Sequence, residues 1–285
     1  MKTSTVRVPS SVGDEELAGG GPRYSHSLVR GLAILRVFTA QEPVLALATV
    51  AERLGMSRST AHRYMSTLVQ LDYLEQTRDR KYRLGLKPLD LGMSVLRATG
   101  LRDTCHGYLD ELRKETGQTV GLATLADAAN VVYIDVLHGK NSKLVLGIGG
   151  NPALRSGVRL PAHCTSSGKL LLAHLPEQEL RHALVDIELT KYTKQTTTGS
   201  QRLTREFAEI VRQGYAVSDE ELYAGVRSVA LPLSDDEMVV ATLDLSTREA
   251  AITPDVLVEA YVPSLEKAIK EISTSVTIGT RVIDA

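Results

Sequence analysis

Between Leu47 and Leu71 two apolar helical periods are separated by only a few residues, and this spacing constrains the fold more than any other feature of the chain. Leu47, Val50, Ala51 and Leu54 recur at helical intervals and stop at Gly55, the residue type that most readily takes the left-handed conformation ending a helix. Ser57 is suited to cap the next helix, whose apolar stripe is Ala61, Tyr64, Met65, Leu68 and Leu71. Two helices joined by so short a Gly-containing turn make a helix-turn-helix. An earlier helix is predicted from Leu28, Leu32, Leu35 and Phe38, with Ser25 or Ser27 as its cap and Pro43 closing the region. After the pair, Leu74 and Gln76, the polar turn Arg78-Asp79-Arg80, and Lys81 to Leu84 read as a β-hairpin, a wing. Residues 25–87 are therefore expected to form a winged helix-turn-helix.

Charge follows the same boundary. Residues 22–88 hold eleven Lys and Arg against five Asp and Glu, a net of +6, whereas residues 89–285 carry a net of −6, and the whole chain −1. A basic module on an acidic body suits contact with a polyanion at one end only. With the stripe facing the core, helical geometry leaves Arg58, Ser59, His62, Arg63 and Ser66 on the opposite side of the third helix. Such a face permits base contacts, since small hydroxyl residues allow close approach and Arg pairs bidentately with guanine. The expected DNA-binding residues are Ser57, Arg58, Ser59, Thr60, His62 and Arg63 on the helix, and Arg78, Arg80 and Lys81 on the wing, where they neutralise phosphates. A solvated charged face is the alternative, and the agreement of helix pair, wing and local charge favours double-stranded DNA.

Residues 1–24, with an acidic triplet and Gly19-Gly20-Gly21, have the composition of a flexible tail. Pro88 opens an expected linker helix over 88–100. A second domain is expected over 101–273. It begins with a helix from Leu101 ending at Gly117, followed by strands at Thr119–Leu125, Val131–Leu137 and Lys143–Ile148. Helices at Ser166–His174 and Leu203–Gln213, strands at Val226–Leu233 and Val239–Ser246, and a last helix from Pro254 to about Ser273 complete it, with a loose tail over 274–285. Mixed helices and antiparallel strands define an α+β domain. The run His163 to Lys169 is a polar small-residue loop entering a helix, where free backbone N–H groups favour an anion such as a carboxylate. Ordinary capping is the competing reading of Ser166 and Ser167.

Several classes are disfavoured. The longest apolar runs, Leu170–Ala173 and Met238–Leu243, fall far short of the roughly 18 to 20 residues of a membrane span. The absence of an apolar leader and of paired cysteines, with only Cys105 and Cys164 present, suggests a reducing cytoplasm. His163 and Cys164 are adjacent in sequence, so on a strand they would point apart, which argues against a catalytic pair. His138 and His174 add no metal-ligand spacing, and Gly147 to Gly150 lacks the dinucleotide signature. No catalytic residue, metal or cofactor is expected.

SLVRGLAIL at Ser27 to Leu35, ATVAERLGMSRSTAHRYMSTLVQLDYLE and YRLG at Tyr82 to Gly85 resemble the winged-helix half of the IclR family of transcriptional regulators. RLPAHCTSSGKLLLAHL at Arg159 to Leu175 and GYAVSDEELYAGVRSVALPL at Gly214 to Leu233 are similar to that family's effector domain. The resemblance implies a GAF-like α/β effector domain with an antiparallel sheet, and assembly as a homodimer or homotetramer on a pseudo-palindromic operator. It also implies an effector pocket lined at Ser166, Ser167, Ser228, Asp244 and Ser246. Some members that bind small oxoacids carry a Ser or Cys at these places, a pattern from which Asp244 departs, so the resemblance does not point to a very small oxoacid. ELYAGVRSVALPL looks most like the β-ketoadipate-pathway regulators, which implies an aromatic acid or β-ketoadipate as effector. Arg155, Arg159 and Arg227 are alternative carboxylate partners. An architectural DNA binder without small-molecule control is the competing reading, and the size of the second domain favours sensing.

Overall fold

The computed structural model describes residues 25–39, 42–92, 100–140, 154–235 and 238–275. The expected tail at 1–24, the strand at 143–148, residues 93–99 of the linker and residues 276–285 lie outside them. The chain divides into two compact units, with the boundary between Val95 and Leu96.

In the first unit, α1 (His26–Arg36), α2 (Leu47–Arg53) and α3 (Arg58–Gln70) pack with a three-stranded antiparallel sheet of β1 (Val44–Leu45), β2 (Leu74–Gln76) and β3 (Tyr82–Leu84), in the order β1-β3-β2. Ile34, Val37, Phe38, Leu45, Val50, Met65, Leu74 and Tyr82 form the core. Gly55 has φ +60° and Ser57 accepts a hydrogen bond from the Thr60 backbone N–H at 3.2 Å, so the break between α2 and α3 is built as the sequence predicts. The stripe on α1 is different. Leu28 and Leu32 are 63% and 53% exposed and Ile34 is the fully buried residue, because the helix packs through its C-terminal turn. Leu71 is exposed as well. A helical turn at 87–92 opens the expected linker helix.

The second unit is a six-stranded antiparallel sheet in the order β6-β5-β4-β9-β8-β7. Its strands are β4 (Thr119–Asp127), β5 (Asn130–Leu137), β6 (Arg159–Pro161), β7 (Ala216–Asp219), β8 (Arg227–Asp235) and β9 (Met238–Thr247). Side-chain alternation divides it cleanly. One face carries Val120, Leu122, Val229, Leu231, Leu243 and Leu245 against α4 (Leu101–Thr116) and α8 (Pro254–Ser275). The other carries Ala123, Tyr133, Ala216 and Ala230 against α5 (Ser166–Ala173) and α7 (Ser200–Gln213), with α6 (Glu177–Asp186) beyond. Gly117 at φ +70° ends α4. The last helix continues through Ser275, two residues past its expected end. Neither α6 nor the short strands β6 and β7 were expected, since three- and four-residue strands carry too little alternation to register.

Candidate functional site

The first unit presents the start of α3 to solvent. Ser57, Arg58, Ser59, His62 and Arg63 are exposed and Thr60 half-buried, while Ala61 and Met65 on the other side are buried. The Ser57 hydroxyl also reaches Thr60 Oγ1 at 2.8 Å and Ser59 Oγ at 3.0 Å, which orders the small residues of the first turn. The wing tip is a closed turn. The Arg80 backbone N–H donates to Thr77 O at 3.0 Å with Arg80 at φ +58°, and Thr77 N–H donates to Lys81 O at 2.8 Å. Lys81 pairs with Asp79 at 3.0 Å, whereas no ion pair forms at Arg78, Arg80, Arg58 or Arg63 among the described residues. Four guanidinium groups are thus left unneutralised on one small unit, and the arrangement fits a polyanionic surface.

In the second unit, the inner face of the sheet meets the N-terminus of α5. Thr165 caps this helix, accepting from the Gly168 N–H at 3.2 Å and donating to Pro161 O at 2.9 Å. Ser166 and Ser167 are therefore relieved of the capping role, and their hydroxyls face the sheet instead. Gly168 is obligatory here, because a Cβ would lie 2.2 Å from Ala162 O. Ser166 Oγ meets Ser228 Oγ at 2.8 Å, and Ser218 Oγ donates to Cys164 O at 3.1 Å. Ser218, Ser228, Ser246, Thr165, Tyr133 and Tyr223 are among the residues that line a cavity of about 40 Å³, together with Leu222 and Val226. That volume admits roughly one or two water molecules.

Of the five expected effector residues, Ser228 and Ser246 line this cavity, Ser166 bonds to its wall, and Ser167 and Asp244 lie behind Tyr133. Asp244 is 1% exposed, not a solvent-facing strand carboxylate. Tyr133 Oη donates to Asp244 Oδ2 at 2.7 Å, while Asp244 Oδ1 and Ser167 Oγ are buried without a hydrogen-bond partner. Burial pushes the Asp244 carboxyl up to about 6, against the smaller opposing pull of Tyr133 and the nearby Ser167 hydroxyl. The expected arginines are elsewhere. Arg227 pairs with Asp219 and Glu220, Arg159 with Asp127 at 3.4 Å, and Arg155 is exposed, so among the described residues no cationic side chain lines the cavity. Ser218, Tyr133 and Tyr223 were not anticipated, though the alternation that places Ser228 and Ser246 on this face also places Ser218, which pairs with Ser228 across the sheet.

One turn along α5, Lys169 is fully buried and bonded to both Glu206 on α7 and Glu221. Burial raises the pKa of Glu221 despite Lys169 beside it, and its second carboxylate oxygen has no partner. Thr193 and Thr196 fix the chain here by donating to the carbonyls of Glu220 and Glu221 at 2.7 and 2.6 Å. Burial raises the Cys164 thiol well above its ordinary range, and His163 Nε2 contacts Thr190 O at 3.0 Å, so neither is poised as nucleophile or base.

A winged helix-turn-helix followed by an α+β domain with a pocket between α5 and the inner face of its sheet defines a DNA-binding transcriptional regulator with an effector-type domain. The profile of the IclR helix-turn-helix domain matches residues 27–78, and that of the bacterial transcriptional regulator IclR C-terminal domain matches 93–274. The chain belongs to the IclR family. It is 37% identical over 223 residues to the HTH-type transcriptional regulator XynR of Escherichia coli, covering 78% of this chain and 85% of that protein. It is 32% identical over 257 residues to the Pca regulon regulatory protein of Pseudomonas putida, covering 89% and 84%. Among solved structures, an IclR homolog from Microbacterium hydrocarbonoxydans complexed with 4-hydroxybenzoate matches with a TM-score of 0.71 at 25% identity, covering 87% of this chain and 98% of that one. These relatives are transcriptional regulators, not enzymes.

Proposed function

We propose that this regulator reads a pseudo-palindromic operator as a homodimer or homotetramer and that a small carboxylate controls its grip. The observation that carries the reading is the joint geometry of α3 and the wing: an ordered, small-residue helix start with Arg58 and Arg63 exposed beside it, and Arg78 and Arg80 unpaired at the wing tip. In this reading Ser57, Ser59, Thr60, His62 and Arg63 approach base edges, while Arg78, Arg80 and Lys81 hold phosphates.

The effector occupies the space between α5 and the inner sheet face, its carboxylate toward the N–H groups at the start of α5 and its body among Ser166, Ser167, Ser228, Asp244 and Ser246. Aromatic acids and β-ketoadipate are the first compounds to try, supported by the similarity to a Pca regulon regulator and to a homolog that binds 4-hydroxybenzoate. A carboxylate that prefers one of two arrangements of the protein shifts operator affinity by that difference. The test is enrichment of random duplex DNA by the full-length protein, repeated with each acid. A recurrent inverted repeat whose affinity changes with one acid supports the reading. Enrichment of no sequence, or retention of operator binding after deletion of residues 22–88, overturns it.

A further inference from the structure

Tyr133 and Asp135 stand two residues apart on β5, and in a regular strand they would share a face. They do not. Along β4, Leu122 pairs with Asp135 and the next residue, Ala123, pairs with Tyr133, so Ile134 is the extra residue of a β-bulge. The bulge aims Tyr133 at the cavity beside α5 and Asp135 at the opposite face, where α4 packs. Asp135 is 2% exposed, and its carboxylate gathers groups from two elements besides its own. From α4, His106 Nδ1 meets Oδ2 at 2.6 Å and the Arg102 guanidinium lies 3.6 Å from Oδ1. From the loop before β6, the Ser156 hydroxyl donates to Oδ1 at 3.3 Å, and the Val136 N–H donates to the same oxygen at 3.1 Å.

The loop that carries Ser156 is stitched to the cavity wall. The Gly157 N–H donates to Tyr133 O at 2.7 Å and the Tyr133 N–H donates to Val158 O at 3.0 Å, while Leu154 lines the same cavity as Tyr133. At the other end of the cluster, α4 is the first element of the second unit among the described residues, and it begins at Leu101, immediately before Arg102. The chain arriving from the DNA-binding unit therefore meets the cluster in its first helical turn. A shift of the Tyr133–Leu154 wall reaches that turn through two backbone hydrogen bonds, the bulge and one carboxylate. A buried carboxylate parts from its partners only at high cost, so wall and helix start are held in step. Resting on the reading that a pocket ligand and the operator influence each other, we propose that the Asp135 cluster is the joint that couples them, with Arg102 and His106 as positioning residues for the start of α4. A plain anchor for α4 is the competing role, and it predicts no DNA-dependent change in the loop at 154–160.

Coupling between two sites is reciprocal, so operator DNA serves as the probe and no effector is needed. The experiment is hydrogen–deuterium exchange of the full-length protein with and without the inverted-repeat duplex recovered by enrichment, read in peptides covering 101–112 and 154–160. In the wild type, saturating duplex is expected to change the exchange rate in both by at least about fivefold, the lower end of typical coupling. In Arg102→Ala/His106→Ala, or in His106→Ala alone if the double variant fails to fold, the change at 154–160 should fall below about twofold while the duplex still binds and 101–112 still responds. Lys114→Ala, which breaks a surface pair with Asp110 on the same helix, should behave as the wild type. Loss of an anchor alone would raise exchange with and without DNA and leave the difference between the two states intact. No change at 154–160 when the wild type binds the duplex, an undiminished change in the folded variant, or the same loss in Lys114→Ala overturns the coupling and leaves operator recognition standing. Enrichment of no duplex overturns operator recognition, and the coupling with it.

Discussion

Replacing Asp244 by Asn should change the stability of the second domain in a pH-dependent way whose size follows from the structure. The carboxyl is fully buried, has no cation beside it and titrates at about 6 rather than 3.8. Because the folded-state value is raised, the stabilising contribution is fully present below pH 3.8 and is lost as pH rises through about 6. Integrating between those values gives a cost to the folded state of about 1 kcal/mol at pH 4.5 and about 3 kcal/mol at pH 8, a difference of about 2 kcal/mol. Asn keeps an acceptor for Tyr133 Oη and cannot ionise, so the variant escapes this cost. Any constant effect of the substitution on packing is the same at both pH values and cancels. Thermal denaturation of wild type and variant should therefore show the variant gaining about 4 to 8 °C relative to wild type between pH 4.5 and pH 8, at roughly 2 to 4 °C per kcal/mol for a domain of this size. A difference in melting temperature that does not change with pH would mean that the carboxyl is solvated or paired with a cation, and the picture of a dry, unmatched Asp244 would be wrong.

Three further perturbations test other parts of the structure. Lys169→Met strands Glu221 in the interior without its cation and should cost about 3 to 5 kcal/mol in urea denaturation; adding Glu221→Gln should recover most of that loss, and a double variant as unstable as the single one would refute the pairing. Gly121→Ala forces a methyl against Asp244 Oδ1 and the Tyr133 ring and should cost about 1 to 3 kcal/mol, where a neutral result would show that the ring turns aside freely. Arg63→Ala should lose about 1 to 3 kcal/mol on operator DNA with little effect on random DNA, whereas Arg78→Ala should weaken both alike and lower the salt slope by about one; equal losses on both DNAs for Arg63→Ala would refute base readout.

The sequence made the first unit legible because its punctuation is local. Gly55 and Ser57 act on their own neighbours, so the turn between α2 and α3 and the cap of α3 could be read without knowing what packs where. The α1 stripe misled for the opposite reason: helical spacing identifies apolar residues, but whether Leu28 or Ile34 meets the core depends on the crossing of another helix. In the second unit the long strands, the helix end at Gly117 and the helix over Leu203–Gln213 were visible, whereas β6 and β7 were too short to show a period. The candidate pocket was partly legible. Ser228 and Ser246 line the cavity, but that Tyr133 screens Asp244 and that Lys169 is buried between two glutamates are long-range facts, joining residues between 37 and 111 positions apart; the Thr165 cap is local, three residues from the Gly168 N–H it accepts, and was hidden only because Ser166 and Ser167 are equally good capping residues.

The alternation along β9 separates two duties within a few ångströms. Leu243 and Leu245 are welded into the layer beneath α4 and α8, while Asp244 and Ser246, their immediate neighbours, project the other way. On the proposed reading, a change at 244 or 246 alters the chemistry presented to a small molecule while the apolar layer on the other side of the strand keeps its packing. If that face holds the effector as proposed, a lineage carrying this sheet can exchange one metabolite for another through a few substitutions on one side of a strand, with the opposite apolar layer and the DNA-binding unit unchanged in sequence.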